Sequence, residues 1–327
     1  MADSFECSIA GRTFSMQVGK VALQANGAVA VRYANTVVLV TACASPEPRE
    51  GIDFLPLTVD YEEKLYAAGK IPGSFFRREG RPTEEAIITS RLIDRSLRPL
   101  FPKRFNRDIQ VVATVLSADQ ENDPDICALI GASAALTLSD IPFSGPISAV
   151  HVGYIDGSFI LSPALSQIEN SLFDVVVTST EQAVVMVEAG AKEASEELIL
   201  EAIKLGHEAN QEIIKLQEEL RRDCGKPKME IGAEEVNPEL TTAISSMLED
   251  KLSQTLEQHG KPEREQALAS IKKEVMESLG DKFPEVEISR AFDSRLRVAV
   301  REEISQKGQH LDGRQAKEIR PISSEIG

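Results

Sequence analysis

The sequence predicts an α+β domain followed by a small all-helical domain, and three features predict it. Up to about residue 190, short β-branched and aromatic runs alternate with glycine- and asparagine-containing turns. Residues 194–222 then read as one long amphipathic helix. From Asn237 onward strand-like segments cease and three helical patterns follow.

Taken in order, residues 14–18, 28–33 and 36–44 are predicted strands, rich in Val, Thr and aromatics and separated by Gly19-Lys20, Asn26-Gly27 and Asn35. Residues 52–61 read as a fourth. A helix is expected to start near Thr83, with Glu84 and Glu85 in the first turn, where the helix dipole favours acids. Residues 108–118 form a β-branched run, and 126–139 a helix of small residues. Residues 147–154 and 159–161 are expected to pair as a hairpin around Asp156-Gly157, and 173–178 and 184–188 are two further strands. The first domain is thus placed at 1–220. The helical domain, 237–308, opens on Asn237-Pro238, a cap followed by proline in the first turn, and its helices span about 238–258, 262–279 and 287–307. Residues 309–327 start a new element without completing it, which suggests a longer chain.

The 327 residues carry a formal net charge of −16, which at first argues against a polyanionic partner. The charge is uneven. Residues 64–107 hold eleven Lys/Arg against four acids, so this stretch is +7 and the remaining 283 residues sum to −23. No apolar run is long enough to be a signal peptide or to span a bilayer, so no membrane association is expected. Cys7, Cys43, Cys127 and Cys224 lack redox or metal-ligand spacing, and a reduced, cytoplasmic protein is the plain reading.

Within the basic stretch, "IPGSFFRREGRP" (71–82) sets two phenylalanines against two arginines between Pro72, Gly73, Gly80 and Pro82. Such a loop can stack unpaired bases on Phe75 and Phe76 while Arg77, Arg78 and Arg81 take phosphates through their planar forks. On the helix behind it, about 100° per residue puts Arg91, Arg95 and Arg98 in one row, with Ile88, Leu92, Ile93 and Leu97 assigned to the inward side. Each feature also has a blander reading. A Phe-Phe pair is commonly core, an Arg-Arg pair a solvated face, and the arginine row an ion-pair ladder with Glu84 and Asp94. Composition leaves both open.

Longer motifs carry a resemblance. "YAAGKIPGSFFRREGRPTEEAIITSRLIDRSLRPLFP" resembles the signature stretch of the bacterial polynucleotide phosphorylase family, in its first RNase PH-like repeat, and "RLIDRSLRPLF" is similar to the matching helix of RNase PH itself. The resemblance continues through "NDPDICALIGASAALTLSDIPFSGPISAVHVGYIDG" and "GHEANQEI", and "LDGRQAKEIRPISSEIG" looks like the opening of a second RNase PH-like repeat. It implies an RNase PH-like domain of the ribosomal protein S5 domain 2-like β-α architecture. It also implies a 3′-to-5′ phosphorolytic exoribonuclease that releases nucleoside diphosphates, runs reversibly as a polymerase, and acts in mRNA degradation. Single-stranded RNA as substrate, inorganic phosphate as co-substrate, Mg2+, a homotrimeric ring and RNA-degradation partner proteins come with it. By the same resemblance, Phe75, Phe76, Arg77 and Arg78 match the loop that constricts the channel mouth of the ring, with Arg81, Arg91, Arg95 and Arg98 as further RNA contacts.

The family's chemistry implies two nearby Asp residues, a Lys and a serine-rich phosphate turn in the second repeat. The matching region here is "QIENSLFDVVVTST", where Asp174 has Ile168 six residues before it and Val176 two after. One carboxylate without a partner or lysine is a poor metal site. Asp174 is therefore read as structural, and Asn122, Asp123 and Asp125 as a loop and helix cap. No catalytic or metal-binding residue is expected in this chain, and residues 1–327 alone are expected to be inactive. The alternative is a non-catalytic RNA-binding or scaffold subunit of an exosome-like ring. A small-molecule phosphotransferase finds no phosphate-loop glycine motif.

Overall fold

The computed structural model describes residues 3–49, 52, 54–73, 75–231, 237–258 and 260–325. They fall into two compact units, 1–231 and 232–327. The first unit opens with β1 (Asp3–Ile9), β2 (Arg12–Val18), β3 (Gly27–Tyr33), β4 (Thr36–Ala44) and β5 (Leu57–Glu63). Then come α1 (Glu84–Leu97), β6 (Ile109–Ser117), α2 (Pro124–Leu138), β7 (Ser148–Ile155), β8 (Ser158–Leu161), a one-turn α3 (Leu165–Ile168), β9 (Phe173–Ser179), β10 (Val184–Ala191) and α4 (Glu196–Cys224).

Two sheets result. One has the order β1-β2-β3-β4-β6-β5 and is antiparallel except where β5 joins β6; the other, β10-β9-β7-β8, is wholly antiparallel. Strand alternation fills the first core, with Val38, Val40 and Ala42 of β4 facing in beside Val111, Ala113 and Val115 of β6. α2 is apolar almost all round and lies against β3, β4, β6 and β7, with every residue from Cys127 to Leu138 buried. Its backbone comes so close that a Cβ on Gly131 would sit 2.6 Å from Val40 Cγ2. α4 packs on β7 and β9 just as closely at Gly206, where a Cβ would lie 2.7 Å from Val177 Cγ2.

Buried polar groups tie these layers. Ser133 Oγ donates to Gln217 Oε1 (2.7 Å) and accepts from Ile147 N–H (2.8 Å), while Gln217 Nε2 donates to Ile147 O (2.8 Å). After α4 the chain returns to the far end of α2. There Lys228 Nζ donates to the carbonyls of Leu136 (2.7 Å), Thr137 (3.1 Å) and Ser139 (2.7 Å), and Met229 N–H donates to Asp140 O (2.7 Å). The first unit therefore extends past residue 220, to Ile231.

The second unit holds α5 (Pro238–Leu256), α6 (Lys261–Leu279) and α7 (Glu285–Lys307) around Leu240, Ile244, Leu248, Leu252, Val275, Leu279, Ile288 and Phe292. Asn237 caps α5 by accepting from the amides of Glu239 and Leu240, and α7 ends on Gly308 in the left-handed conformation (φ 64°). Beyond it Asp312 gathers Arg314 (3.0 Å) and Arg320 (3.2 Å) in an irregular segment. Residues 326 and 327 of the expected opening segment lie outside the described residues. Among the described residues, no helix is long and apolar enough to cross a membrane.

Three readings need correction. The sequence reading omits β1, an edge strand whose Phe5, Cys7 and Ile9 alternate with exposed Ser4, Glu6 and Ser8 but are only half-buried. β5 begins at Leu57 rather than at 52, because Pro56 has no N–H to offer the ladder. Ile88 does not face inward. It is 55% exposed, since it stands at the margin of the arc that Leu92, Ile93 and Leu97 bury.

Candidate nucleic-acid interface

The basic loop is anchored at both ends. Before it, a 3-10 turn at Leu65–Ala68 closes on Gly69 in the left-handed conformation, Ala118 N–H donates to Ala67 O (3.0 Å), and Leu65 N–H donates to Glu79 Oε1 (3.0 Å). After it, Thr83 Oγ1 accepts from Ala86 N–H (3.0 Å) and starts α1, and Glu84 and Glu85 occupy its first turn. α1 buries Ala86, Leu92, Ile93, Ser96 and Leu97, and Ser90 Oγ accepts from Tyr61 N–H (3.1 Å), fixing the helix to β5.

Between these anchors the rings stand in solvent. Phe75 is 93% and Phe76 75% exposed, with ring centroids 5.4 Å apart and planes at 86°. A pair so uncovered has no role in the core. Arg77 has a φ of 53°, a left-handed backbone that an arginine adopts only against steric resistance. Among the described residues, the guanidiniums of Arg77, Arg78, Arg81 and Arg91 make no hydrogen bond or ion pair.

The rest of the row behaves differently. Arg95 is ion-paired with Glu188 of β10 and lies 3.3 Å from Met186 Sδ. Arg98 forks onto Asp94 (2.6 and 2.9 Å) and also donates to the carbonyls of Leu55 (2.9 Å) and Leu57 (3.1 Å). The structure therefore leaves Arg77, Arg78, Arg81 and Arg91 open to an outside ligand and engages Arg95 and Arg98 internally. Glu84 joins no such ladder among the described residues.

A second grouping was missed in the sequence. Asp123 caps α2, as expected, and Asp125 stands in its first turn. The fold brings both to His151 of β7, and the three ligand atoms lie within 4.8 Å of one another. On the other side of the ring, Asp174 Oδ1 is 2.8 Å from His151 Nδ1, and Asp125 Oδ2 is 3.3 Å from Nε2. Asp174 is thus not a bare strand-end residue. Because His151 pairs with Val176 and Gly153 with Asp174, His151 and Asp174 are diagonal neighbours on one sheet face. Burial and the neighbouring Asp125 charge push Asp123 up to about 7. Burial disfavours charge on Asp125 and His151 too, but their mutual attraction, with Asp174, wins; Asp125 is held below the usual range and His151 well above its own. The only sequence signal was the acid run "NDPD"; its partners lie on distant strands.

A cavity of about 300 Å³ opens beside this cluster, lined in part by Asp125, His151, Asp174, Leu92 and Glu188. A larger one of about 900 Å³ runs along α1 and β5 past Asp60, Arg91 and Arg95.

Comparison with known proteins assigns the fold a lineage. Residues 10–142 match domain 1 of the 3′ exoribonuclease family and residues 145–209 its domain 2, so the two together take in more than half of the chain. Residues 239–315 match the RNA binding domain of polyribonucleotide nucleotidyltransferase. A polyribonucleotide nucleotidyltransferase of Heliobacterium modesticaldum is 52% identical over 325 residues, covering 99% of this chain and 46% of the relative. One of Dehalococcoides mccartyi is 46% identical over 326 residues, covering 100% and 45%. The crystal structure of rice (Oryza sativa) Rrp46 superposes with a TM-score of 0.53 at 18% identity, over 64% of this chain and 94% of that one, and shares the fold. The chain spans about half the length of the curated relatives it matches, and it belongs to the 3′ exoribonuclease family, with the polyribonucleotide nucleotidyltransferases as its relatives.

Proposed function

We propose that this chain is part of a 3′-to-5′ phosphorolytic exoribonuclease of the mRNA-degradation machinery, converting RNA and phosphate reversibly to nucleoside diphosphates. Its share of the work is to help build a homotrimeric ring and to grip single-stranded RNA at the channel mouth. One observation carries this reading: two rings 93% and 75% exposed stand directly before two arginines that no described carboxylate neutralises. Bases stack on flat faces and phosphates fit guanidinium forks, so the loop is complementary to an unpaired strand. Threefold symmetry would set three such loops around one axis and turn a weak clamp into a collar. The relatives' shared transferase name supports the enzyme reading over the scaffold subunit.

The residues present do not fit the magnesium site of that reaction. Asp174 has Ile168 and Val176 where the family pattern needs an acid and a lysine, and its carboxylate is committed to His151. The catalytic centre is accordingly assigned to residues outside 1–327, with the reaction placed in the cytoplasm. In the test, residues 1–327 are mixed with oligo(A), phosphate and magnesium, and nucleoside diphosphate and bound RNA are both measured. No diphosphate is expected, with binding that Arg77→Ala/Arg78→Ala weakens and whose salt slope drops by about 0.7 for each phosphate no longer held. Brisk phosphorolysis would relocate the active site, and an unchanged salt slope would return both arginines to a solvated face.

A further inference from the structure

We propose that Asp123, Asp125 and His151 form a divalent transition-metal site, best matched to Zn2+, with Asp174 as the residue that positions the imidazole. The donor set comes first. Imidazole nitrogen and carboxylate oxygen are both zinc ligands, and three of them leave a fourth position open, whereas magnesium prefers oxygen ligands throughout.

Geometry agrees. Tetrahedral bonds of about 2.0–2.1 Å put neighbouring donor atoms about 3.3–3.4 Å apart. His151 Nε2 and Asp125 Oδ2 already stand at 3.3 Å, and the Asp123 oxygen is within 4.8 Å of both. Each acid keeps its other oxygen on the helix backbone: Asp123 Oδ1 accepts from Asp125 N–H (3.1 Å) and Asp125 Oδ1 from Ile126 N–H (2.5 Å). Those bonds answer the positive end of α2, and the two carboxyls, hydrogen-bonded to each other, stand together beside the imidazole.

The orienting residue is in place too. Metal-bound histidines usually give their other N–H to a carboxylate, which fixes the tautomer and raises ligand basicity. Asp174 Oδ1, 2.8 Å from Nδ1, accepts that hydrogen bond and so turns Nε2 toward the two acids, where a metal ion would replace the Nε2 proton.

Charge supplies an independent reason. Asp123, Asp125 and Asp174 surround a single imidazole, and among the described residues no Lys or Arg pairs with any of them. The side chains of His151, Asp125 and Asp174 are only 11%, 14% and 29% exposed. Carboxylates gathered this closely around one imidazole in a shielded spot favour a cation. The cavity of about 300 Å³, lined by Asp125, His151 and Asp174, would give an ion its way in.

An ion here would join the start of α2 to β7, and through Asp174 to β9, within the first unit. The site is separate from the magnesium chemistry assigned outside the chain and does not depend on it.

The test uses the whole chain of residues 1–327, stripped with chelator and dialysed against Zn2+, with bound metal counted and Co2+ used as a spectroscopic probe. One ion per chain is expected, with visible Co2+ bands of a four-coordinate N/O site and a raised Tm. Asp125→Asn and His151→Gln should abolish binding, and Asp174→Asn should weaken it about 10–100-fold. Cys43→Ser, at an exposed thiol, should leave it intact. Failure of the unmodified chain to bind overturns the proposal whatever the variants do. So does stoichiometric binding that survives His151→Gln, or that disappears with Cys43→Ser.

Discussion

Arg77 and Arg98 belong to the same basic stretch and carry the same group, yet they meet opposite fates. Arg98 lies one turn from Asp94 and beside the carbonyls of Leu55 and Leu57, so its fork is filled from within the chain. Arg77 sits on a loop with, among the described residues, no acid turned toward it, and a backbone bent into the left-handed region. Local charge density is therefore a poor guide to binding. What counts is whether the fold supplies carboxylates and carbonyls to absorb the charge before a ligand can.

The sharpest way to break the contrast is at the rings. Phe75→Ala/Phe76→Ala should cost about 1–3 kcal/mol of RNA affinity per stacked base, read by fluorescence anisotropy with a short oligonucleotide, and leave the unfolding midpoint unchanged because neither ring is buried. A large loss of stability instead would make the pair structural. Next comes Arg98→Ala, which should destabilise the first unit by about 1.5–3 kcal/mol in denaturant unfolding, since its charged hydrogen bonds to Asp94 and to the carbonyls of Leu55 and Leu57 vanish. RNA affinity should barely move. Arg77→Lys/Arg78→Lys is a finer probe: charge and salt slope persist while the bidentate fork is lost, for an affinity change of about 1 kcal/mol. Smallest is Arg95→Ala. Its pair with Glu188 is about half exposed on both sides (54% and 44%), so a stability change of about 0–1 kcal/mol is expected. A larger change would mean that Arg95 holds β10 against α1.

Contiguous features were legible in the sequence. β4 and β6 announced themselves as β-branched runs, Thr83 as a helix start and Asn237 as a helix cap. The "FFRR" loop could be read as a loop because every residue that defines it is adjacent. The fate of each arginine could not, because it depends on Glu188, about ninety residues from Arg95, and on carbonyls about forty residues from Arg98. The His151 cluster was hidden for the same reason. Asp125, His151 and Asp174 meet only once β7 and β9 take their register and α2 lies across them, and no spacing along the chain encodes that. The strand at the amino end was legible too, in the alternation of Phe5, Cys7 and Ile9 with polar residues, but three half-buried side chains at an edge give a short signal.

The Lys228 ammonium, seated on three carbonyls at the end of α2, sets a limit on how the molecule can be dissected. A protein cut after residue 220 would keep every strand and most of α4 yet strip the lid from a helix terminus, inviting fraying and aggregation. The shortest well-behaved fragment should stop near Ile231, and limited proteolysis should find its first stable cleavage product there rather than at the carboxyl end of α4.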